Sequence, residues 1–264
     1  MCPPDERHRR VEAGQGLINK GEAKDEDPRS FDFDAQFRRN PKRCAPGGVP
    51  YSRLDAELWA CGYPADGCFA PGPPFGERTG TLLDKTTAEL VKLAYSESIL
   101  EASIGMAAIN SLMDVDECAY LELNAADLIL GKGKGKRVAI VGHFSFLPKV
   151  REIAKELWVI EKNPREGDFD ETQADRWLPL ADLVAITGTS LTNHTIEHLL
   201  SLCRPEAFVI LLGDTAPLSP VLFEYGVDAV SGTKVIDPDL VLKCVSQGAN
   251  FRQIRGTRRL TLLR

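Results

Sequence analysis

Residues 181–214, ADLVAITGTSLTNHTIEHLLSLCRPEAFVILLGD, decide the fold. ADLVAITGTS (181–190) is an apolar run that ends in glycine and small hydroxyls. From Asn193 to about Cys203 the spacing becomes helical, with Ile196, Leu199, Leu200 and Cys203 on one face. AFVILLGD (207–214) is a second apolar run that again ends at a glycine. Continuous apolar strands joined by a helix imply a parallel sheet covered on both faces.

The same alternation extends outward in both directions. RVAIVG (137–142) reads as a strand, and Pro148 opens a helix running through Ala154. ELWVIEKNP (156–164) and DAVSG (228–232) read as further strands, and a final strand is expected over about 251–263. Ser219-Pro220 and Asp237-Pro238 are cap-then-proline helix starts, and Gly226 and Gly248 are helix stops. The fold class is therefore α/β, with a C-terminal Rossmann-like parallel sheet over 131–264.

Ahead of it the signals differ. Residues 1–56 are polar, charged and proline-rich, with no persistent period, and are expected to be disordered or irregular. Residues 57–130 read as a smaller N-terminal α+β domain whose front looks truncated. Its loop-like start (57–76) is followed from Thr86 by two consecutive helices with one buried face each. Gly105 and its neighbouring alanines would let the second helix pack closely against another element. GKGKGK (131–136) reads as a loop at the domain boundary; it precedes a strand, so it is not a phosphate-binding loop.

Composition narrows the function classes. The net charge of −6 argues against a nucleic-acid or anionic-membrane partner, since nothing drives counterion release. The basic C-terminal residues Arg252, Arg255, Arg258, Arg259 and Arg264 fit a solvated edge strand. No apolar run is long enough to cross a membrane, and MCPPDERHRR has no signal-like apolar core, so a cytoplasmic location is expected. The seven scattered cysteines then read as free thiols.

In an open parallel sheet, ligands bind beyond the carboxyl ends of the strands. Those ends hold Gly142, His143 and Phe144; Glu161; Gly188, Thr189, Thr192 and Asn193; Gly213, Asp214 and Thr215; and Ser231 and Gly232. Each alone is ordinary turn chemistry, and their convergence on one edge marks a site. Gly188 would supply positive φ or close backbone approach, with Thr192 or Asn193 capping the next helix. The glycine pattern that cradles a dinucleotide pyrophosphate is absent, because Phe144 and Phe146 occupy that loop. Glu161 stands where an acid would hold a ribose. His194, Glu197 and His198 match a zinc-protease pattern, but on a crossover helix that role is disfavoured. Cys61 and Cys68 are poor evidence for a metal.

EASIGMAAINS (101–111), VGHFSFLPKV (141–150), ADLVAITGTSLTNHTIEHLL (181–200) and LLGDTAPLSPVLFEYGVDAVSGT (211–233) carry a resemblance. Over about residues 76–264 the chain resembles the family called "putative heavy-metal chelation". The resemblance implies an N-terminal domain like that of enolase, a Rossmann-like domain, and a ligand cleft between them. Family members begin with strands before the paired helices, and residues 1–56 do not read that way.

The expected function is binding of a small molecule or metal ion in that cleft. His143, Glu161 and Asp214 are the candidate metal ligands, a donor set suited to zinc, nickel or cobalt. A histidine bonded within its own loop accounts for His143 equally well. The rival is a transferase-like enzyme with a nucleotide-like cofactor, Glu161 holding its ribose. A structural subunit without a ligand is a third reading, and a homodimer is left open.

Overall fold

The computed structural model describes residues 81–115, 119–250 and 252–264. The expectations for residues 1–56 and 57–76 and for Cys61 and Cys68 lie outside them. The strands are β1 (Arg137–Val141), β2 (Glu156–Glu161), β3 (Phe169–Asp170), β4 (Leu183–Thr187), β5 (Phe208–Leu212), β6 (Ala229–Val235) and β7 (Thr257–Leu263). The helices are α1 (Thr87–Val91), α2 (Ile99–Leu112), α3 (Ala125–Gly133), α4 (Leu147–Ile153), α5 (Ala174–Trp177), α6 (Thr189–Thr192), α7 (Ile196–Ser201) and α8 (Pro238–Ser246).

One seven-stranded sheet runs β3-β2-β1-β4-β5-β6-β7. All neighbours pair in parallel except β6 and β7. The apolar runs of the sequence are buried on both sides because successive side chains alternate faces. Val138, Ile140, Leu183, Ala185 and Ile210 meet Ile129 of α3 and Val150 of α4. Ala139, Val184, Ile186, Val209 and Leu211 lie in the opposite cluster, with Ile104, Met106 and Ile109 of α2.

The chain crosses from one face to the other around the β7 edge. Leu121 pairs with Thr261 as an antiparallel bridge, Leu121 N donating to Thr261 O at 2.9 Å and Thr261 N to Leu121 O at 2.8 Å. The buried Thr261 hydroxyl donates to Leu123 O at 2.8 Å and lies 2.6 Å from the Ser231 hydroxyl. This cover satisfies backbone groups that an open edge strand would expose.

Several elements differ from their sequence reading. The helix α3, capped by Asn124, runs through Gly131, Lys132 and Gly133, so the Gly/Lys run is a loop only from Lys134. Gly133 packs so closely that a Cβ there would lie 3.1 Å from Val138 Cγ2. The strand expected at 228–232 extends to Val235, held by its antiparallel partner β7. The helix after Pro220 is a 3-10 turn, Pro220–Tyr225, stopped by Gly226 at φ 88°. The two-residue β3 had no readable strand signal.

The front helices also differ. In α2 the consecutive residues Met106, Ala107, Ala108 and Ile109 are all buried, so the helix is enclosed on more than one face. Gly105 permits the close contact expected of it: a Cβ there would lie 2.0 Å from the backbone nitrogen of Ala94. Among the described residues, no helix is long and apolar enough to cross a membrane.

Candidate functional site at the sheet switch point

The sheet grows outward from β1 through β2 on one side and from β4 through β5 on the other. Strand order therefore reverses between β1 and β4, the point beyond whose carboxyl ends sheets of this kind have their ligand crevice. The loops on its two sides touch. Gly142 adopts φ 107°, and a Cβ there would lie 3.1 Å from Thr187 Cβ and 3.2 Å from Phe144 Cε2. Glycine is required on both counts, conformation and space.

His143 follows at the rim, its side chain 29% exposed. Its Nε2 lies 3.9 Å from Oδ2 of Asp168, whose side chain is only 5% exposed. Sequence reading missed Asp168. It lies on the loop from β2 to β3, 25 positions past His143, and its signal was limited to an acid after Gly167. Phe144 and Phe146 stack at 5.1 Å and pack against the core below, closing the loop where a pyrophosphate would need bare backbone. Glu161, at the end of β2, turns its Oε1 to its neighbour, accepting from Lys162 N at 2.8 Å.

Across the crevice, the Thr187 and Thr189 hydroxyls lie 3.0 Å apart, and Thr189 is exposed. Gly188 has φ −60°, so positive φ is not its reason. Close approach is: a Cβ would lie 2.5 Å from Ala216 N, on the loop after β5. The helix expected from Asn193 to about Cys203 is the shorter α7, and a separate helical turn, α6, stands before Asn193 where a strand end and its turn were expected. Asn193 Oδ1 accepts from Thr195 N at 3.2 Å and Thr195 Oγ1 at 2.7 Å, bracing the break. Thr192 is 2% exposed and donates to Thr189 O at 2.9 Å, so it fills the interior and caps nothing.

Beyond β5, Gly213 adopts φ 121° and donates to Ser231 O at 3.1 Å. The Asp214 carboxylate accepts from Thr233 Oγ1 at 2.6 Å. Burial pushes its carboxyl up to about 6, against the Thr233 bond and the charge of Arg259, which pull it down. Thr215 is buried, and its carbonyl accepts from Asn110 Nδ2 of α2 at 3.5 Å. Ser231 and Gly232 lie inside β6 and not at its end. The Ser231 hydroxyl meets Thr261, and a Cβ at Gly232 would lie 2.7 Å from Ala216 O.

The residues thus divide. Gly142 meets Thr187 and Phe144 at the switch point, and His143 faces Asp168 at its rim. Gly188, Gly213, Asp214 and Thr215 gather around the β5 end. Thr192, Ser231 and Gly232 are interior. Among the described residues, no group of three or more His, Cys, Asp and Glu side chains could hold a metal, so His143, Glu161 and Asp214 are not brought together as one. A closed zinc site needs four protein ligands. The described residues fit only a partial set, led by His143.

The zinc-protease pattern is not formed either. His194 sits in the break between α6 and α7 at φ 58°, its Nε2 2.8 Å from Ser96 O. His198, on α7, has its Nε2 2.8 Å from Asp175 Oδ1. The two rings serve separate partners.

This geometry defines a Rossmann-like α/β protein with a switch point between β1 and β4. The chain belongs to the family described as "Putative heavy-metal chelation", whose model matches residues 124–264; a second model of the same description matches residues 47–113. It is 32% identical over 191 residues to an uncharacterised protein of Methanocaldococcus jannaschii, covering 67% of this chain and 72% of that one. A crystal structure of a family protein of unknown function from Desulfitobacterium hafniense is similar at 30% identity and TM-score 0.59, covering 68% of this chain and 74% of that one. A Pyrococcus horikoshii protein, also of unknown function, shares the fold at 22% identity and TM-score 0.59, covering 68% and 76%.

Proposed function

We propose that the chain binds a metal ion carried within a small chelating molecule, at the crevice between β1 and β4. The observation that carries this reading is His143 at the switch point, backed by the Asp168 carboxylate at 3.9 Å. A lone imidazole beside a carboxylate completes a coordination sphere that the guest has mostly filled. The family description supports the metal. The exposed Thr189 hydroxyl, beside Thr187, would hydrogen-bond the guest's oxygens. His143 supplies a borderline donor suited to nickel, cobalt or zinc.

A nucleotide-like cofactor has less support. Stacked Phe144 and Phe146 fill its pyrophosphate position, and Glu161 is engaged by its own backbone neighbour.

Calorimetric titration tests the proposal. Free nickel, cobalt and zinc ions and their citrate complexes are titrated into the full chain and into His143→Ala. The expected result is tighter binding of a citrate complex than of the free ion, lost in the variant. Equal affinity of the two proteins for every probe removes His143 from the site.

A further inference from the structure

We infer that His194 is a positioning residue: its ring, bonded to the backbone of Ser96, lets the front helices hold α6 and with it the Thr189 hydroxyl at the switch point. This deepens the metal-chelate reading and rests on it only for the guest that Thr189 would meet.

A helix of four residues does not hold its shape unaided, so whatever pins the ends of α6 sets where Thr189, its first residue, stands. At the start, Gly188 lies so close to the loop after β5 that a Cβ would come within 2.5 Å of Ala216 N. At the end, the chain turns through His194 at φ 58°. Glycine makes such a left-handed turn freely, and a larger residue makes it only with strain. What histidine adds there is its ring, whose Nε2 lies 2.8 Å from Ser96 O. A backbone carbonyl only accepts, so Nε2 donates. Ser96 is itself fixed. Its N–H donates to Leu93 O at 2.9 Å, and its hydroxyl donates to Glu101 Oε2 at 2.6 Å and accepts from Ser98 N at 3.2 Å. The bond thus ties the end of α6 to a braced turn 98 positions earlier in the chain.

Three variants of the full chain separate the brace from the turn. His194→Gly makes the turn without the bond. His194→Asn also tolerates left-handed backbone, with a side chain too short to replace the ring. His194→Gln restores a donor nitrogen at similar reach. Amide exchange needs no guest. Asn193 N and Thr195 N, which donate to Thr189 O and Ser190 O, are expected to exchange about two- to tenfold faster in His194→Gly and His194→Asn, the worth of one hydrogen bond, and to return toward wild type in His194→Gln. Unchanged exchange in His194→Asn overturns the inference. Nickel citrate, titrated calorimetrically and compared per folded molecule, is expected to lose affinity by the same factor, with His194→Gln again the rescue. Affinity that depends on His143 and is untouched in His194→Asn also overturns it. Binding that is indifferent to His143, with exchange responding as expected, sinks the metal-chelate reading and leaves the His194 brace standing.

Discussion

The Thr233 hydroxyl donates to Oδ1 of Asp214 across 2.6 Å, joining the end of β5 to the middle of β6. Burial still raises the Asp214 carboxyl from its ordinary 3.8 to about 6. The native state thus binds a proton more tightly than the unfolded chain does. Its contribution to stability is complete below about pH 4 and is lost as pH rises through about 6, on the order of 3 kcal/mol. Urea denaturation of the wild type and of Asp214→Asn across this window should show the wild type losing ground to the variant as pH rises. A constant difference would refute the assignment.

The opposite, amino-terminal edge of the sheet carries the reverse case. Asp182 accepts from Arg137 Nε at 3.1 Å and Nη2 at 2.8 Å, from Arg137 N at 3.0 Å, and from Arg204 Nη2 at 2.7 Å. The Arg137 side chain and backbone bonds, with Arg204, hold its carboxyl well below the usual carboxylate range. This stabilisation is present above about pH 4 and falls away under stronger acid. Asp182→Ala should cost roughly 2–3 kcal/mol at neutral pH, because it strands charge-assisted donors. Thermal melts of the two proteins at neutral pH check the loss.

Two glycines should respond oppositely to alanine. At Gly188 a Cβ would lie 2.5 Å from Ala216 N, so Gly188→Ala forces two backbones apart and should cost roughly 2–3 kcal/mol. At Gly131, inside α3, a Cβ would meet nothing within 4 Å, so Gly131→Ala should stabilise by about 0.5–1 kcal/mol. Chemical denaturation midpoints separate the two. Ligand affinity per folded molecule in Gly188→Ala further shows whether the crevice depends on that contact.

Cys203 should be inert in the native protein. Burial pushes its thiol up to about 12, and its Sγ donates to Leu199 O at 3.3 Å. A thiol so seldom ionised is a poor nucleophile. Peptide mapping after brief treatment with a thiol-alkylating reagent should find Cys203 unmodified, and modified once the chain is unfolded in urea.

The sheet was legible in sequence because burial on both faces writes itself as continuous apolar runs. RVAIVG, ADLVAITGTS and AFVILLGD needed no neighbour to be read, and the caps Ser219 and Asp237 act within two or three residues of themselves. The carboxyl-edge loops followed from strand direction alone, so Gly142 and His143 could be placed at a site. The helix breaks at His194 and the extension of β6 to Val235 could not, since each depends on a distant partner: Ser96 for one, β7 for the other.

The sequence by itself determined the strands other than β3, the parallel run of β1, β2, β4, β5 and β6, and the edge where chemistry would gather, because those follow from side-chain period and local turns. Only the tertiary structure decided which edge residues meet. It brought Asp168 to His143 from a loop with no pattern of its own, and it turned Ser231 and Thr192 inward. It set Gly188 against Ala216 and not against open space. The physical reason is that strand order and loop packing are properties of the whole sheet. A residue's partners across it are fixed by which strands become neighbours, and no local run of side chains records that.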